Sequence, residues 1–183
     1  MSIRPDRSVE LDAGGFNELR MCRNGPMLYN KNDAFGESVA SAFPSACYDI
    51  QEASNCFALD RFTACVMHCM RAIEPAIQAL AVKIGAKYDN STWGEAMKEI
   101  RVRIAAIESS PSKPSDWSEM KPFYENVIPD LGAIKDAWRN YVMHARATYD
   151  GEKAAGILDH TKRFMSQVSS KISEPPKHGA ASS

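Results

Sequence analysis

With 183 residues, 44% hydrophobic and 25% charged, the chain has the length and composition of one globular domain able to bury a sizeable core. Its formal net charge of −1 supplies no global positive field of the kind that grips long nucleic acid, and no run approaches the roughly 18 apolar residues of a membrane span. Near the start Arg4, Asp6, Arg7, Glu10 and Asp12 do not make an apolar signal segment, and five cysteines, an odd number, are expected to be reduced thiols in a cytoplasmic protein.

Residues 1–37 form an N-terminal arm of uncertain structure, because Gly14-Gly15, Asn24-Gly25-Pro26 and Asn30 to Asp33 interrupt any regular period. Glu18–Cys22 and Met27–Tyr29 could pair as a hairpin across Asn24-Gly25, or the arm could lie on another helix or subunit. From Ser38 the period becomes helical: Val39, Ala42, Phe43, Ala46, Cys47 and Ile50 recur at three- and four-residue steps, with Pro44 dividing them. A long helix follows, with Phe62, Val66, Met70, Ile73, Ile77, Leu80 and Ile84 on one face, a kink expected at Pro75 and a stop at Gly85.

Thr92 and Glu95 have capping-box spacing and open the next helix, whose buried face is expected to be Met97, Ile100, Ile104 and Ile107. Two prolines and four serines make residues 109–116 a loop. One helix is then expected from about Ser118 to His144, with Pro122 in its first turn, a bend or interruption at Pro129, and Phe123, Val127, Leu131, Ile134, Trp138, Tyr141 and Val142 as its apolar positions. After a break at Ala147–Gly151, a last helix faces Ala154, Ile157, Leu158, Phe164, Met165 and Val168 inward, and residues 173–183 are expected to be a disordered tail. The predicted fold is all-α, an up-and-down helical bundle of four to five main helices over residues 38–172.

Chemistry concentrates late in the chain. Asp136, Asn140 and His144 are spaced i, i+4, i+8 and would form one polar stripe on a regular helix. Arg139, five residues before His144, would point about 140° away from it at 3.6 residues per turn. Either the helix loosens there, the arginine wraps round, or a second copy supplies the missing partner. A histidine can exchange protons near neutral pH and an arginine can hold a phosphate through its forked donors. The same stripe also fits a solvated helix edge. Arg61 and His68 repeat the Arg-to-His spacing inside a core helix, where His68 is expected to be a satisfied, half-buried residue. Cys65, His68 and Cys69, with Cys56 nearby, offer zinc-type ligands, but nothing completes a tetrahedral set and buried thiols are the expected reading. Arg71 and Glu74 form an i, i+3 pair in which Glu74 is a candidate to reach across the bundle and position Arg139 or His144.

Asp136-Ala-Trp-Arg139-Asn140-Tyr-Val-Met-His144, late in a helical bundle, resembles the signature of the HEPN superfamily: an arginine, usually followed by a polar residue, then a histidine after four to six intervening positions. The stretch from Ala64 through Arg71 to Glu74 resembles the second helix of such proteins, and Glu152–Ser170 the helix after the motif, so the resemblance covers about residues 38–172. It implies a HEPN-like bundle that homodimerises, with paired motifs in one cleft, and a metal-independent endoribonuclease with no cofactor. His144 would be base or acid, Arg139 would stabilise phosphoryl charge and Asn140 would fix the substrate or the histidine, with Asp136, Glu74 and Arg71 in support. RNA is the implied substrate because the attacking group is a ribose 2′-hydroxyl. The implied setting is toxin–antitoxin, stress or phage defence, with an antitoxin or regulatory protein as a further partner. The superfamily also includes non-catalytic dimers that bind a partner protein or a nucleotide.

Overall fold

The computed structural model describes residues 33–87, 92–142 and 148–175. Most of the arm (residues 1–32), the hairpin considered across Asn24-Gly25, His144 and the tail beyond Pro175 lie outside them. Every regular element among the described residues is helical, as the periodicity predicts.

The chain begins with α1 (Glu37–Ala42) and a 3-10 turn (Pro44–Ala46), followed by α2 (Cys47–Ala58) and α3 (Phe62–Ile84). Pro44 divides α1 from α2 as expected, standing in the first turn of the 3-10 segment where its missing N–H costs no helical bond. Phe35 is buried against the core, so the packed region starts before residue 38. α3 is the centre. It packs against α2, α4 (Trp93–Ser109) and α7 (Gly151–Ser169), and buries residues on nearly every side. Its alanines at 72, 76, 79 and 81 let neighbouring backbones come close, while Ile73, Ile77 and Leu80 fill the space between them. The helix runs unbroken through Pro75 and ends where Gly85 takes φ 73°, the left-handed C-cap that glycine adopts without a Cβ clash.

Thr92 caps α4 with both halves of the expected box: the Glu95 N–H donates to its hydroxyl, and its own N–H donates to the Glu95 carboxylate at 3.0 Å. The buried face of α4 is shorter than predicted. Trp93, Ala96, Met97 and Ile100 are buried, but Ile104 and Ile107 are only half-buried, and Ile107 borders a cavity of about 400 Å³ that it shares with Ile84, Trp117 and Tyr124.

α5 (Trp117–Ile134) starts one residue earlier than expected, and Pro122, its sixth residue, lies past the first turn. Neither Pro122 nor Pro129 interrupts it. The single helix expected as far as His144 is instead loosened at Lys135, where a π-helical turn over Lys135–Arg139 leads into α6 (Asn140–Val142). α7 is capped by Asp150, whose carboxylate accepts the Lys153 N–H at 2.9 Å. Its first residue, Gly151, lies so close to Phe62 that an added Cβ would stand 3.1 Å from the ring. The predicted inward face of α7 is buried at every named position. Glu174, assigned to the tail by composition, is bound instead: its N–H donates to Ala42 O at 2.9 Å and its carboxylate accepts from Ser45.

No helix among the described residues is long and apolar enough to cross a membrane.

Candidate functional site

The π-turn sets the geometry of the motif. The Asn140 N–H reaches the carbonyl of Lys135, five residues back, instead of the four-residue partner of an α-helix. The widened turn aims adjacent side chains at different helices. Trp138 meets the His160 ring of α7 edge-on at 5.1 Å between centroids, and the Arg139 guanidinium lies over the Trp93 ring of α4 at 5.5 Å. Trp93 is in turn held at the N-terminus of α4 beside the Thr92 cap, so a locally encoded helix start supports the arginine.

The backbone that carries Asp136 and Asn140 is thus not the regular helix on which their predicted stripe depends, and its third member, His144, lies outside the described residues. Asp136 is exposed and pairs with Lys135 at 2.9 Å, not with Arg139. Asn140 is half-buried at the exit from the turn. Among the described residues no carboxylate pairs with Arg139, which leaves its forked donors for a phosphate or carboxylate.

Arg71 and Glu74 do not join this group. The Arg71 Nε donates to Asp49 Oδ1 of α2 at 2.9 Å, a bond that raises the Arg71 pKa. Glu74 is exposed beside it and makes no hydrogen bond or ion pair with Arg139 among the described residues. The alternative reach of Glu74 to His144 lies outside the described residues, and Arg71 links α3 to α2 because it lies on the side of α3 that faces Asp49.

Asp49 is the residue that the periodicity overlooked. It is 9% exposed and accepts from both Arg71 and His68, whose Nδ1 lies 2.8 Å from the same oxygen. A lone aspartate between Ala46, Ile50 and Ala53 was the available signal, since a carboxylate on a buried face requires partners. His68 is thus half-buried and satisfied, as expected. Cys65 and Cys69 are fully buried on another side of α3. Cys69 is pushed well above the usual thiol range by its hydrogen bond with Cys65 and by burial, which makes it a packing residue. The zinc set Cys65, His68 and Cys69 is not assembled. The groups that do converge are Glu52, Cys56 and His68, whose ligand atoms all lie within 4.8 Å of one another. Burial raises the Cys56 pKa, and the nearby Glu52 carboxylate adds to the effect.

A second unanticipated pair joins α5 to α7: His160 Nε2 and Asp130 Oδ1 are 2.9 Å apart. Their separation of thirty residues left no local signal in the chain. The other face of the His160 region opens into a cavity of about 510 Å³, lined by Trp138, Tyr141, Tyr149, Lys153, Ile157 and His160 among others. Arg139 and Asn140 do not line it.

Comparisons of the chain with family models, with curated proteins and with solved structures give no match.

Proposed function

We propose that the chain is a HEPN-type protein that acts as a homodimeric, metal-independent endoribonuclease, of the kind found in toxin–antitoxin, stress or phage-defence settings. The observation that carries this reading is the π-turn over Lys135–Arg139, which holds Arg139 over Trp93 with no acidic partner among the described residues and delivers Asn140 next to it. π-turns inside α-helices occur frequently at functional sites, where the widened backbone re-aims side chains. A guanidinium braced on an aromatic ring, with forked donors, suits the pentacoordinate phosphate of RNA transesterification.

In the proposed reaction a ribose 2′-hydroxyl attacks the adjacent phosphorus and loses its proton to a base. The P–O5′ bond breaks, and the 5′ oxygen leaves with a proton from an acid. The products are a 2′,3′-cyclic phosphate and a 5′-hydroxyl. His144 of one or both protomers serves as base or acid, Arg139 stabilises charge on the non-bridging oxygens, and Asn140 orients the substrate. Two copies of the motif facing each other would bring Arg139 and His144 of both protomers to one phosphate.

A second reading is a non-catalytic dimer that binds a nucleotide. It is favoured by the cavity beside the motif, where Trp138, Tyr141 and Tyr149 offer flat surfaces for a base and Lys153 a cation for a phosphate. Cleavage of labelled RNA in EDTA decides between them. Wild-type cutting that leaves cyclic phosphate ends, abolished in folded dimeric Arg139→Ala and His144→Ala, supports the nuclease. Nucleotide binding without cutting, lost in Tyr149→Ala and retained in Arg139→Ala, supports the binding module. A protein that stays monomeric at micromolar concentration rules out the paired-motif mechanism.

A further inference from the structure

Between α2 and α3 the structure brings together three side chains of metal-ligand type that the proposed ribonuclease reaction does not use. Glu52 and Cys56 are four residues apart on α2, so they share one helix face, and His68 approaches from α3. Their ligand atoms lie within 4.8 Å of one another. A tetrahedral zinc ion with bonds of about 2.0–2.3 Å needs donors about 3.3–3.8 Å apart, so rotamer adjustments of these side chains bring them to coordinating distance.

The surroundings have the organisation that such sites require. A metal-binding histidine normally donates its second ring N–H to a carboxylate, which fixes the tautomer and the ring direction. Here Asp49 is that carboxylate: its Oδ1 accepts from His68 Nδ1 at 2.8 Å and is itself anchored by Arg71, which leaves Nε2 for an ion. Glu52 is steadied in the same way, because Asn55 Nδ2 donates to its Oε1 at 3.0 Å and leaves the other oxygen available. All three residues are half-buried, so an ion can enter from solvent and still lose most of its water.

We propose that Glu52, Cys56 and His68 form a binding site for one divalent ion of zinc type, with Asp49 as the positioning residue for His68. The mixed sulfur, nitrogen and oxygen donors select a borderline ion over magnesium or calcium, which take oxygen ligands. Binding forms an S–metal bond and releases the Cys56 thiol proton to solvent, and a water completes the tetrahedron. The bound ion clamps α2 to α3 and stabilises the bundle without entering RNA chemistry.

Cobalt(II) titration of the full-length, reduced protein, monitored by absorption, tests this. The expected result is about one ion per chain, with thiolate-to-cobalt charge transfer in the near ultraviolet and tetrahedral ligand-field bands in the visible, reversed by zinc. Cys56→Ser abolishes the charge transfer, and Cys47→Ser leaves it intact. Glu52→Gln and Asp49→Asn, checked for fold by circular dichroism, keep it but weaken binding about 10- to 100-fold. Zinc also raises the melting temperature of the wild type and not of Cys56→Ser. No charge transfer in the wild type, its survival in Cys56→Ser, or its loss in folded Cys65→Ser but not in Cys56→Ser overturns the assignment.

Discussion

The Arg139 guanidinium lies over the Trp93 ring, 5.5 Å from its centroid, although 46 positions separate the two residues in the chain. A cation–π contact at a partly exposed site contributes about 0.5–1 kcal/mol. Arg139→Ala should therefore cost no more than ~1 kcal/mol of stability in a urea melt. In the proposed nuclease the same change should lower RNA cleavage by about 10²–10³-fold, as loss of a transition-state charge stabiliser does. Arg139→Lys should rescue little, since an ammonium lacks the planar fork. Equal losses of folding and cleavage would reduce the arginine to a structural role.

Asp49 joins α2 to α3 through two donors, His68 and Arg71, on a single oxygen. Replacement by alanine leaves the half-buried His68 ring nitrogen without its partner and should cost about 1–3 kcal/mol. Asp49→Asn keeps an acceptor oxygen and should cost less. Urea denaturation of both variants measures the difference, and an alanine variant as stable as wild type would show that the link contributes nothing.

The helix caps predict the direction of acid sensitivity. Glu95 and Asp150 are both held below their ordinary pKa values, chiefly by backbone N–H groups of Thr92 and Lys153 respectively. A depressed folded-state pKa contributes stability that is fully present above the unfolded value and disappears as pH falls through the folded one. Asp150→Ala should thus lower the melting temperature at pH 7, and the gap from wild type should close as pH falls below about 4. A gap that persists at pH 2 would assign the effect to packing.

Tyr124 presents the opposite case. Its ring is buried between Trp117 and Phe123, and its hydroxyl has no hydrogen-bond partner among the described residues. Burial raises its pKa strongly, so it stays neutral at any ordinary pH. Tyr124→Phe removes only the unpartnered oxygen and should be neutral or stabilising by up to ~1 kcal/mol. A loss of more than that in thermal or urea unfolding would reveal a bond that the hydroxyl makes.

What the chain disclosed in advance was local. The Thr92–Glu95 box, the Gly85 stop and the inward face of α7 depend on neighbours within a turn or two, and all are present. The pairing of Asp49 with His68, and of Asp130 with His160, depends on which helices meet, information that spacing does not carry. Ile104 and Ile107 have the right period but lie where no neighbouring helix fully covers them. The motif region fell between these cases. Its residues were conspicuous, yet the stripe of Asp136 and Asn140 assumed a pitch that the backbone abandons at Lys135.

The π-turn also amounts to one residue too many in an otherwise regular helix. Upstream, Val127, Leu131 and Ile134 keep α-helical register with the core, and downstream Val142 is buried as well. The surplus residue lets both ends remain seated while the segment between them faces elsewhere. Deleting Ala137 would remove the surplus and return the helix to regular pitch with Val142 still seated, but it would abolish the widened turn that aims Trp138 and Arg139 at different helices. A one-residue deletion across this turn should therefore spare the bundle, with little change in a urea melt, and remove the site.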